Sequence, residues 1–415
     1  MKKLFRKEIV VLLVLVLIAG LTSCTTCTYP QQESSQDIDN QTDYQYLTFQ
    51  GQQIHITETA LGLWGPIDDE ELLQLRYMTN LIILELSHNE ITDVTPLAHL
   101  TELVSLVLRG TYITDITPLA NMTKLEFVDF SHSPIEDISP LTNWTNVTKL
   151  WLEGTKISDL SPLSYLANLN TLRFSSDYAS DLSPLSGLDN LKRLHLWGDQ
   201  ISDLSPLSHL TNLESLNLSG EQISDLAPLS ALNNLTGLTI YNSSVSNLTA
   251  LSNLDSLKEL RLASNQISDL MPLATMTNLE DLSLSDNQIE NLAPLSNLSN
   301  LTMLGLINNN ISDLSPLANL NNLQRLWVND NQIRDLSPIS NLPNLAALHA
   351  TENYIEDLTP LRNLTNLTHL GLHNNPISDI SPLAYNPNFL YLSLWNTHVT
   401  DWTPVEQIIS VFGRP

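Results

Sequence analysis

Apolar residues recur with a period of 22 over most of the chain. Within a unit they stand at positions 1, 4 and 6, as Leu279, Leu282 and Leu284 show, and again at positions 11, 14, 17 and 20. The alternation at positions 4 to 6 predicts a short β-strand. A proline stands at position 16 of every unit but one, where Ala250 replaces it. Fifteen units therefore follow one another from Leu81 without insertion or deletion.

The second half of each unit predicts a short helical turn. Position 13 is Asp in most units, as at Asp93, and this side chain can cap a 3₁₀ turn, while the following proline stands where no amide donor is needed. No single unit can bury seven apolar side chains alone, so each unit must stack on its neighbours. The pattern predicts a solenoid whose core is one long column.

This pattern resembles the bacterial leucine-rich repeats of the internalin family over about four fifths of the chain. The resemblance implies an α/β solenoid, a horseshoe with parallel strands on the concave face and short 3₁₀ turns on the convex face. It also implies that Asn at position 9, from Asn265 to Asn375, bonds the loop backbone as a ladder. We expect the N-terminal half to be less regular, because other residues replace this Asn there: Thr111, Ser133, Thr155, Asp177, Asp199, Glu221 and Ser243.

Both ends of a solenoid need caps. We predict an N-terminal cap at 46–80, made of a hairpin turning at Gly51 and a helix that opens with the capping-box pair Asp68 and Glu71 and runs through Leu75. The repeats span 81–401 and a C-terminal cap spans 402–415. The apolar residues expected to close the core at that end are Trp402, Val405, Ile408, Ile409, Val411 and Phe412.

The first residues have the pattern of an export signal. A basic start precedes an apolar run from Ile9 to Leu21, and Leu21-Thr22-Ser23-Cys24 resembles the bacterial lipobox. We predict a lipoprotein signal peptide at 1–23, a diacylated Cys24, and a lipidated, flexible tether at 24–45. The alternative is an ordinary signal peptide with a chance cysteine. Cys27 is assigned no role.

Charge narrows the class of partner. Lys and Arg total 18 against 45 Asp and Glu, a net charge of -27. Nucleic acid is excluded as a partner, because a phosphate backbone is bound by clustered Lys and Arg. Positions 3, 5 and 7 point out of the concave sheet in the implied fold, and they carry six Lys or Arg against five Asp or Glu. The concave face is therefore close to neutral and differs from the rest of the molecule.

Large aromatic and cationic residues on these positions form two groups. We predict that both groups bind a ligand, because exposed Trp and Arg are the usual hot spots of protein interfaces. The alternative is that strands favour aromatic residues in any case. The N-terminal cluster is Phe127, Lys149, Trp151, Arg173, Arg193, His195 and Trp197. The C-terminal cluster is Arg325, Trp327, His349, His369, His373, Tyr391 and Trp395, and Tyr241 and Arg261 lie between the two.

The three histidines at 349, 369 and 373 could converge on zinc from diagonal positions of adjacent strands. The plainer interpretation is that they belong to an aromatic binding surface, and we assign no metal and no cofactor. No catalytic motif is present, since the chain has no glycine-rich phosphate loop, no His-Glu-x-x-His and no Gly-x-Ser-x-Gly. We therefore expect no enzyme.

The sequence as a whole predicts a monomeric surface lipoprotein on the extracytoplasmic face of a bacterial membrane. Its concave face would bind an extracellular protein or glycan in adhesion or recognition. The alternative function is a scaffold or spacer in cell-envelope assembly.

Overall fold

The computed structural model describes residues 45–386, 388–408 and 410–414. The predicted signal peptide, the lipidated Cys24, the tether up to residue 44 and the cap residue Ile409 lie outside the described residues. The described part from Gln45 onward is one compact unit.

The 22-residue pattern folds as one strand per unit. Strands β3 to β19 are parallel, and each pairs with the next in chain order, so that Leu260, Leu282 and Leu304 are register partners. The antiparallel strands β1 and β2 form a hairpin whose turn contains Gly51, with a φ of 80°. The strands are Tyr46–Phe49, Gln52–His55, Ala60–Gly62, Ile83–Glu85, Ser105–Val107, Phe127–Asp129, Lys149–Leu152, Thr171–Ser175, Arg193–Trp197, Ser215–Ser219, Gly237–Tyr241, Glu259–Arg261, Asp281–Ser283, Met303–Gly305, Arg325–Trp327, Ala347–His349, His369–Gly371, Tyr391–Ser393 and Val411–Phe412 (β1 to β19).

Short helical turns return the chain behind the sheet. The helix α1 spans Asp69–Leu72, and the backbone N–H of Glu71 donates to the Asp68 carboxylate at 2.9 Å. The expectation of one helix through Leu75 was wrong in part, because the segment continues as a 3₁₀ turn. The 3₁₀ turns are Leu73–Tyr77, Thr95–Leu97, Thr117–Leu119, Ser139–Asn143, Ser161–Tyr165, Ser183–Leu185, Ser205–Leu207, Ala227–Leu229, Thr249–Leu251, Met271–Leu273, Ala293–Leu295, Ser315–Leu317, Ser337–Ile339, Thr359–Asn363, Ser381–Tyr385 and Thr403–Val405.

The column of Asp at position 13 has a structural role in every unit. In all fifteen units its carboxylate, or the amide oxygen of Asn247 and Asn291, accepts the backbone N–H two residues later. That N–H belongs to the first residue of the 3₁₀ turn, where it has no partner within the turn. The Asp column therefore caps the turns as predicted, from the residue just before the N-cap, as Asp93 precedes Val94.

The core is one continuous column of apolar side chains, as expected. Trp144, Phe130 and Phe174 are among its largest fully buried members, and Val405 and Ile408 extend it at the C-terminal end. Phe412 corrects the expectation for this cap, because it is 45% exposed. It follows Val411 in β19 and is the register partner of Ser393, a position-5 residue, so it lies on the concave side.

The position-9 Asn residues form the implied ladder. The side-chain amide of Asn331 donates to the carbonyl of Leu306 at 2.8 Å, and its oxygen accepts the N–H of Ile311 at 2.9 Å. The same pair of bonds recurs at every position-9 Asn from 265 to 375. Asn89, which stands outside the predicted run of ladder residues, makes equivalent bonds in the first unit.

A second ladder, at position 22, was not predicted at all. There the side-chain amide of an exposed Asn, such as Asn322, donates to a carbonyl 23 residues earlier, at 2.9 Å for Ser299. The same bond is made by Asn146, Asn168, Asn190, Asn212, Asn234, Asn278, Asn300, Asn344, Asn366 and Asn388.

Three consecutive units near the middle have a different loop. At position 8 the backbone is left-handed in the other twelve units, from His88 to Asn396, but not at Ser176, Gly198 or Gly220. Strands β8 to β10 of these units and β11 of the following unit are five residues long, whereas most strands of the sheet have three. The expected irregularity of the earlier repeats is therefore concentrated in these three units, because the other units without a ladder Asn keep the left-handed loop.

Candidate binding face

Positions 3, 5 and 7 form three columns across the sheet, because successive strands are in exact 22-residue register. Trp151, Arg173 and His195 are consecutive register partners at position 5. Neighbouring members of a column are about 4.8 Å apart at the backbone, so side chains three or four units apart can belong to one surface.

The N-terminal cluster is connected by direct contacts. The rings of Phe127 and Trp151 meet edge to face at 5.0 Å, and the guanidinium of Arg173 lies 4.7 Å from the centre of a Trp151 ring. Arg173 also approaches the Glu153 carboxylate at 3.8 Å. Such aromatic and cation–π contacts each contribute about 0.5–1.5 kcal/mol. These side chains are therefore positioned before any partner arrives.

The second half of this cluster is organised around His195. Its ring meets Trp197 at 6.1 Å, and its Nδ1 lies 3.3 Å from the amide of Asn217. Burial, followed by the positive charges of Arg173 and Arg193, lowers the pKa of His195 from 6.5 to about 4. His195 is therefore a neutral side chain at neutral pH, and it does not add to the positive charge of the cluster.

Buried polar atoms without a hydrogen bond concentrate here. Within the described residues, seven side-chain N or O atoms are buried and have no hydrogen bond, and six belong to positions 3, 5 or 7 of units 2 to 6. An unsatisfied buried polar group costs about 1–3 kcal/mol, so these atoms favour association with polar groups or water. The six atoms are Ser105 Oγ, Arg109 Nε, Ser131 Oγ, Trp151 Nε1, Glu153 Oε1 and Trp197 Nε1.

Acidic residues on the same face are partly buried. Burial raises the pKa of Asp129 and also that of Glu85, although each carboxylate accepts a backbone N–H two residues later. Arg109 and His132 lower the pKa of Asp129 by a smaller amount. The cationic side chains Lys149 and Arg193 are more accessible than Asp129, so a partner meets a more positive surface than the residue count indicates.

The C-terminal cluster is built on Tyr391. Its ring stacks with His369 at 6.4 Å and contacts His349 at 6.1 Å and Phe412 at 5.3 Å. His373 Nδ1 lies 3.3 Å from the Ser393 hydroxyl.

Gly371 provides space for the ring of His349 in this cluster. A Cβ at residue 371 would lie 2.9 Å from His349 Nδ1, so the ring covers the glycine. Burial, then the charges of His369 and His373, lowers the pKa of His349.

The other residues predicted to bind a ligand differ in their contacts and in their exposure. Trp327 is the register partner of His349, Arg325 contacts the sulfur of Met303 at 3.8 Å, and Trp395 is 58% exposed. Between the clusters, Arg261 pairs with Asp281 and lies 3.4 Å from Glu259, which leaves this guanidinium neutralised within the chain. Tyr241 is half-buried and lies two strands from Trp197 in the position-7 column.

Three contributors to the face were missed. Asn170 accepts a hydrogen bond from Arg193 at 3.1 Å, Asn217 contacts His195, and Phe412 extends the C-terminal cluster. Asn217 is at position 5 and could have been found by register. Phe412 could have been found only by recognising Val411-Phe412 as an equivalent of Leu392-Ser393 after the repeat pattern ends.

The described residues include no group of three His, Cys, Asp or Glu side chains placed to hold a metal ion. The three histidines at 349, 369 and 373 are neighbours without forming a metal-binding group. In the same part of the chain, no helix has both the length and the apolar character needed to cross a bilayer.

Comparisons with known proteins agree with this geometry. A family model described as leucine-rich repeats in two copies matches residues 79–121, 101–143, 189–231, 277–319, 299–341, 321–363 and 343–385, which together exceed half of the chain. No match was found among curated proteins.

Among solved structures, an internalin, InlF, from Listeria monocytogenes is 33% identical with a TM-score of 0.62, covering 78% of this chain and 91% of that chain. A leucine-rich repeat protein of Leptospira interrogans is 23% identical with a TM-score of 0.72, covering 79% and 87%. The functional domain of InlJ from Listeria monocytogenes is 22% identical with a TM-score of 0.59, covering 75% and 72%. The last two show similarity of fold alone.

Proposed function

Because this chain belongs to the leucine-rich repeat proteins and is internalin-like, we propose that it recognises a protein partner through its concave face. One observation carries the proposal. Two clusters of Trp, Tyr, Phe, Arg and His side chains lie in the columns at positions 3, 5 and 7, whose side chains are not needed to pack the core. Between them the face carries mostly small or neutralised residues, such as Ser215, Gly237 and Ser283.

The distance between the clusters indicates the size of the partner. Six strand steps separate β9, which carries Trp197, from β15, which carries Trp327. At about 4.8 Å a step the clusters are about 29 Å apart along the sheet, close to the diameter of a small folded domain. A single domain of about 100 residues can contact both clusters at once.

The cellular setting belongs to the same proposal. A lipid on Cys24 would hold the protein on the extracytoplasmic face of the membrane and present the concave face to the exterior for adhesion or recognition. Metabolic labelling with a fatty-acid analogue tests this step, since wild type should be labelled and membrane-bound. The Cys24→Ala variant should lose the label and leave the membrane fraction, and retained labelling would contradict the assignment.

The binding proposal is tested by capture from host and bacterial envelope extracts with the soluble chain from Thr28. The test variant changes Trp151, Trp197, Trp327 and Trp395 together to Ala. The control variant changes to Ala three aromatic residues outside the concave columns, Tyr112, Tyr165 and Tyr385, which are 55–63% exposed.

We expect a protein captured by the wild type and by the tyrosine control but not by the tryptophan variant. Circular dichroism and urea unfolding must show that all three chains are folded. Undiminished capture by the folded tryptophan variant would refute the proposal. Capture lost equally in the tyrosine control would place the binding surface elsewhere.

A further inference from the structure

The cations of the N-terminal cluster are more accessible than the carboxylates beside them. Arg193 is exposed and Lys149 is half-buried, both on position 3. In contrast, Asp129 is only 2% exposed and Glu153 only 7%. Asp129 already accepts the backbone N–H of Ser131 at 2.8 Å, and burial raises its pKa, so its charged form is disfavoured in the folded chain. A side chain that approaches this part of the sheet therefore meets positive charge first.

The two cations on position 3 keep most of their bonding capacity. The ammonium of Lys149 makes no hydrogen bond or ion pair with another described residue. Arg193 donates one hydrogen bond, to the Asn170 side chain at 3.1 Å, although a guanidinium carries five N–H groups. Arg173, on the strand between them, lies 3.8 Å from the Glu153 carboxylate and is partly neutralised by it. Within this cluster, Lys149 and Arg193 are therefore the cations best able to pair with an outside group.

A short, buried side chain separates these two cations. Lys149, Thr171 and Arg193 are consecutive register partners, and Thr171 is 7% exposed. At about 4.8 Å per strand, the backbones of Lys149 and Arg193 are about 10 Å apart. This spacing allows each cation to contact a different carboxylate of one chain segment that lies across the strands.

Aromatic rings beside the cations provide apolar contact area. Phe127 is the register partner of Lys149, and Trp197 lies on the same strand as Arg193. Phe127, Trp151 and Trp197 are all half-buried, which leaves part of each ring accessible. The indole N–H groups of Trp151 and Trp197 make no hydrogen bond with another described residue, and an indole N–H only donates. The surface therefore combines hydrogen-bond donors with apolar area, which suits a chain segment that mixes carboxylates with apolar side chains.

Charge argues against a polyanion, such as a sulfated glycan, on the same surface. The concave columns of units 3 to 6 carry three cations against two carboxylates, a formal charge of +1, and the whole chain has a net charge of -27. A long polyanion that extends beyond the cluster is repelled by this surrounding charge. Because salt screens the repulsion over about 8 Å, a short acidic segment that stays within the cluster largely avoids it.

We propose that the N-terminal cluster docks an acidic segment of the protein partner, in which Asp or Glu side chains stand among apolar ones. The proposal rests on the proposed function and adds the chemistry of the contact. Carboxylates of the segment pair with Lys149 and Arg193, while its apolar side chains cover the rings of Phe127 and Trp151. Arg325 is the one Lys or Arg of the C-terminal cluster, so the acidic segment has a defined end of the concave face to bind.

The probe is a library of random dodecapeptides displayed on phage and selected on the soluble chain from Thr28 at physiological salt. Selected peptides are then synthesised, and their affinities are measured by calorimetry, with heparin in parallel as the sulfated-glycan class. The test variant is K149Q/R193Q. The matched control is K124Q/K258Q, which changes the net charge equally but removes lysines that pair with Glu102 and Glu280 outside the concave columns. Circular dichroism must show that each variant is folded.

We expect Asp and Glu to be enriched among the selected peptides, with an affinity about tenfold weaker in K149Q/R193Q and unchanged in K124Q/K258Q. Selected peptides without this enrichment would overturn the inference, as would a failure to select any peptide. Equal affinity of the acidic peptides for wild type and K149Q/R193Q would also overturn it. Heparin binding that is lost in K149Q/R193Q, while no acidic peptide is selected, would reassign the cluster to sulfated glycans.

Protein capture from envelope extracts is measured on the same variants and separates this inference from the proposed function. A protein that is lost in the tryptophan variant but captured in full by K149Q/R193Q would overturn the acidic-segment inference and leave the proposed function standing. Undiminished capture by the tryptophan variant would instead refute the proposed function, whatever peptides the library yields.

Discussion

The Asn ladder allows a stability prediction with an internal control. In Asn331→Ala, the N–H of Ile311 loses its partner at 2.9 Å. The carbonyl of Leu306 loses the shorter of its two side-chain hydrogen bonds, at 2.8 Å, and keeps the one from Asn309 at 3.2 Å. Asn331 is only 6% exposed, so water cannot readily replace either bond. A buried N–H left without a partner costs about 1–3 kcal/mol and the loss of one further hydrogen bond about 1 kcal/mol, so we expect a loss of about 2–4 kcal/mol in the free energy of unfolding.

The control is Asn322→Ala, in the second ladder. Its side chain makes one bond, to the Ser299 carbonyl at 2.9 Å, and it is exposed, so water can take over that bond. We expect a loss of less than about 1 kcal/mol. The two substitutions remove the same atoms from neighbouring units, and they differ chiefly in burial and in the number of bonds lost.

The measurement is urea unfolding followed by circular dichroism, combined with amide hydrogen exchange. Exchange is needed because each repeat contacts only its neighbours, so a defect in one unit can appear as local opening instead of a global shift. Protection should fall around Ile311 in Asn331→Ala and stay unchanged in Asn322→Ala. Equal losses in both variants, or no loss of protection at Ile311, would refute the argument from burial.

Three further predictions concern the concave face and the altered loops. Gly220→Ala should lower the thermal midpoint of unfolding, because the new Cβ would lie 2.5 Å from the backbone carbonyl oxygen of Gly198. In the control, Gly187→Ala, the new Cβ has no atom within 4 Å, so that variant should be neutral or slightly stabilised. Scanning calorimetry measures both midpoints, and a lower midpoint for Gly187→Ala than for Gly220→Ala would contradict this. NMR titration should find His195 neutral until the pH approaches about 4, and Arg173→Gln should raise its pKa. Because that pKa is lowered on folding, His195 should reduce stability as the pH falls from about 6.5 towards 4. Burial raises the pKa of Asp129, which means that the charged form is disfavoured in the folded chain. Asp129→Asn should therefore be at least as stable as wild type at pH 7, and the difference in unfolding free energy should shrink on acidification as Asp129 becomes protonated. Marked destabilisation of Asp129→Asn at pH 7 would show that the charge is needed.

The frame of the molecule was predictable because packing dictates it in every unit. Each fixed position of the repeat has one structural role, and its recurrence every 22 residues allows that role to be inferred from the sequence. Such positions are the apolar residues at 1, 4 and 6, the Asp at 13 and the proline at 16. Asn89 was missed because it stands isolated from the later run. The position-22 ladder was missed because Asn on an exposed turn has many ordinary explanations, and only the stacked units show that its amide reaches a carbonyl 23 residues earlier.

The concave face was predictable as a set of positions but not as a set of contacts. Register alone places Trp151 beside Arg173, because both are at position 5 of adjacent units. It does not show that Arg173 lies over the indole ring and near Glu153, or that the ring of His349 covers Gly371. Those arrangements depend on side-chain rotamers and on the size of the neighbouring residue.

The units that contain Gly198 and Gly220 show why departures from a repeat are more informative than the repeat. Replacement of the ladder Asn by Asp199 and Glu221 was visible in the sequence, and it suggested only a less regular region. The structure shows that position 9 is exposed in all three units whose position 8 is not left-handed, at Asp177, Asp199 and Glu221, whereas a ladder Asn such as Asn331 is buried beneath its loop. A carboxylate at position 9 is therefore compatible with this fold only where position 8 permits the altered loop. Restoring a regular loop should require both changes together, Gly220→Asn with Glu221→Asn, because either one alone leaves position 8 or position 9 mismatched.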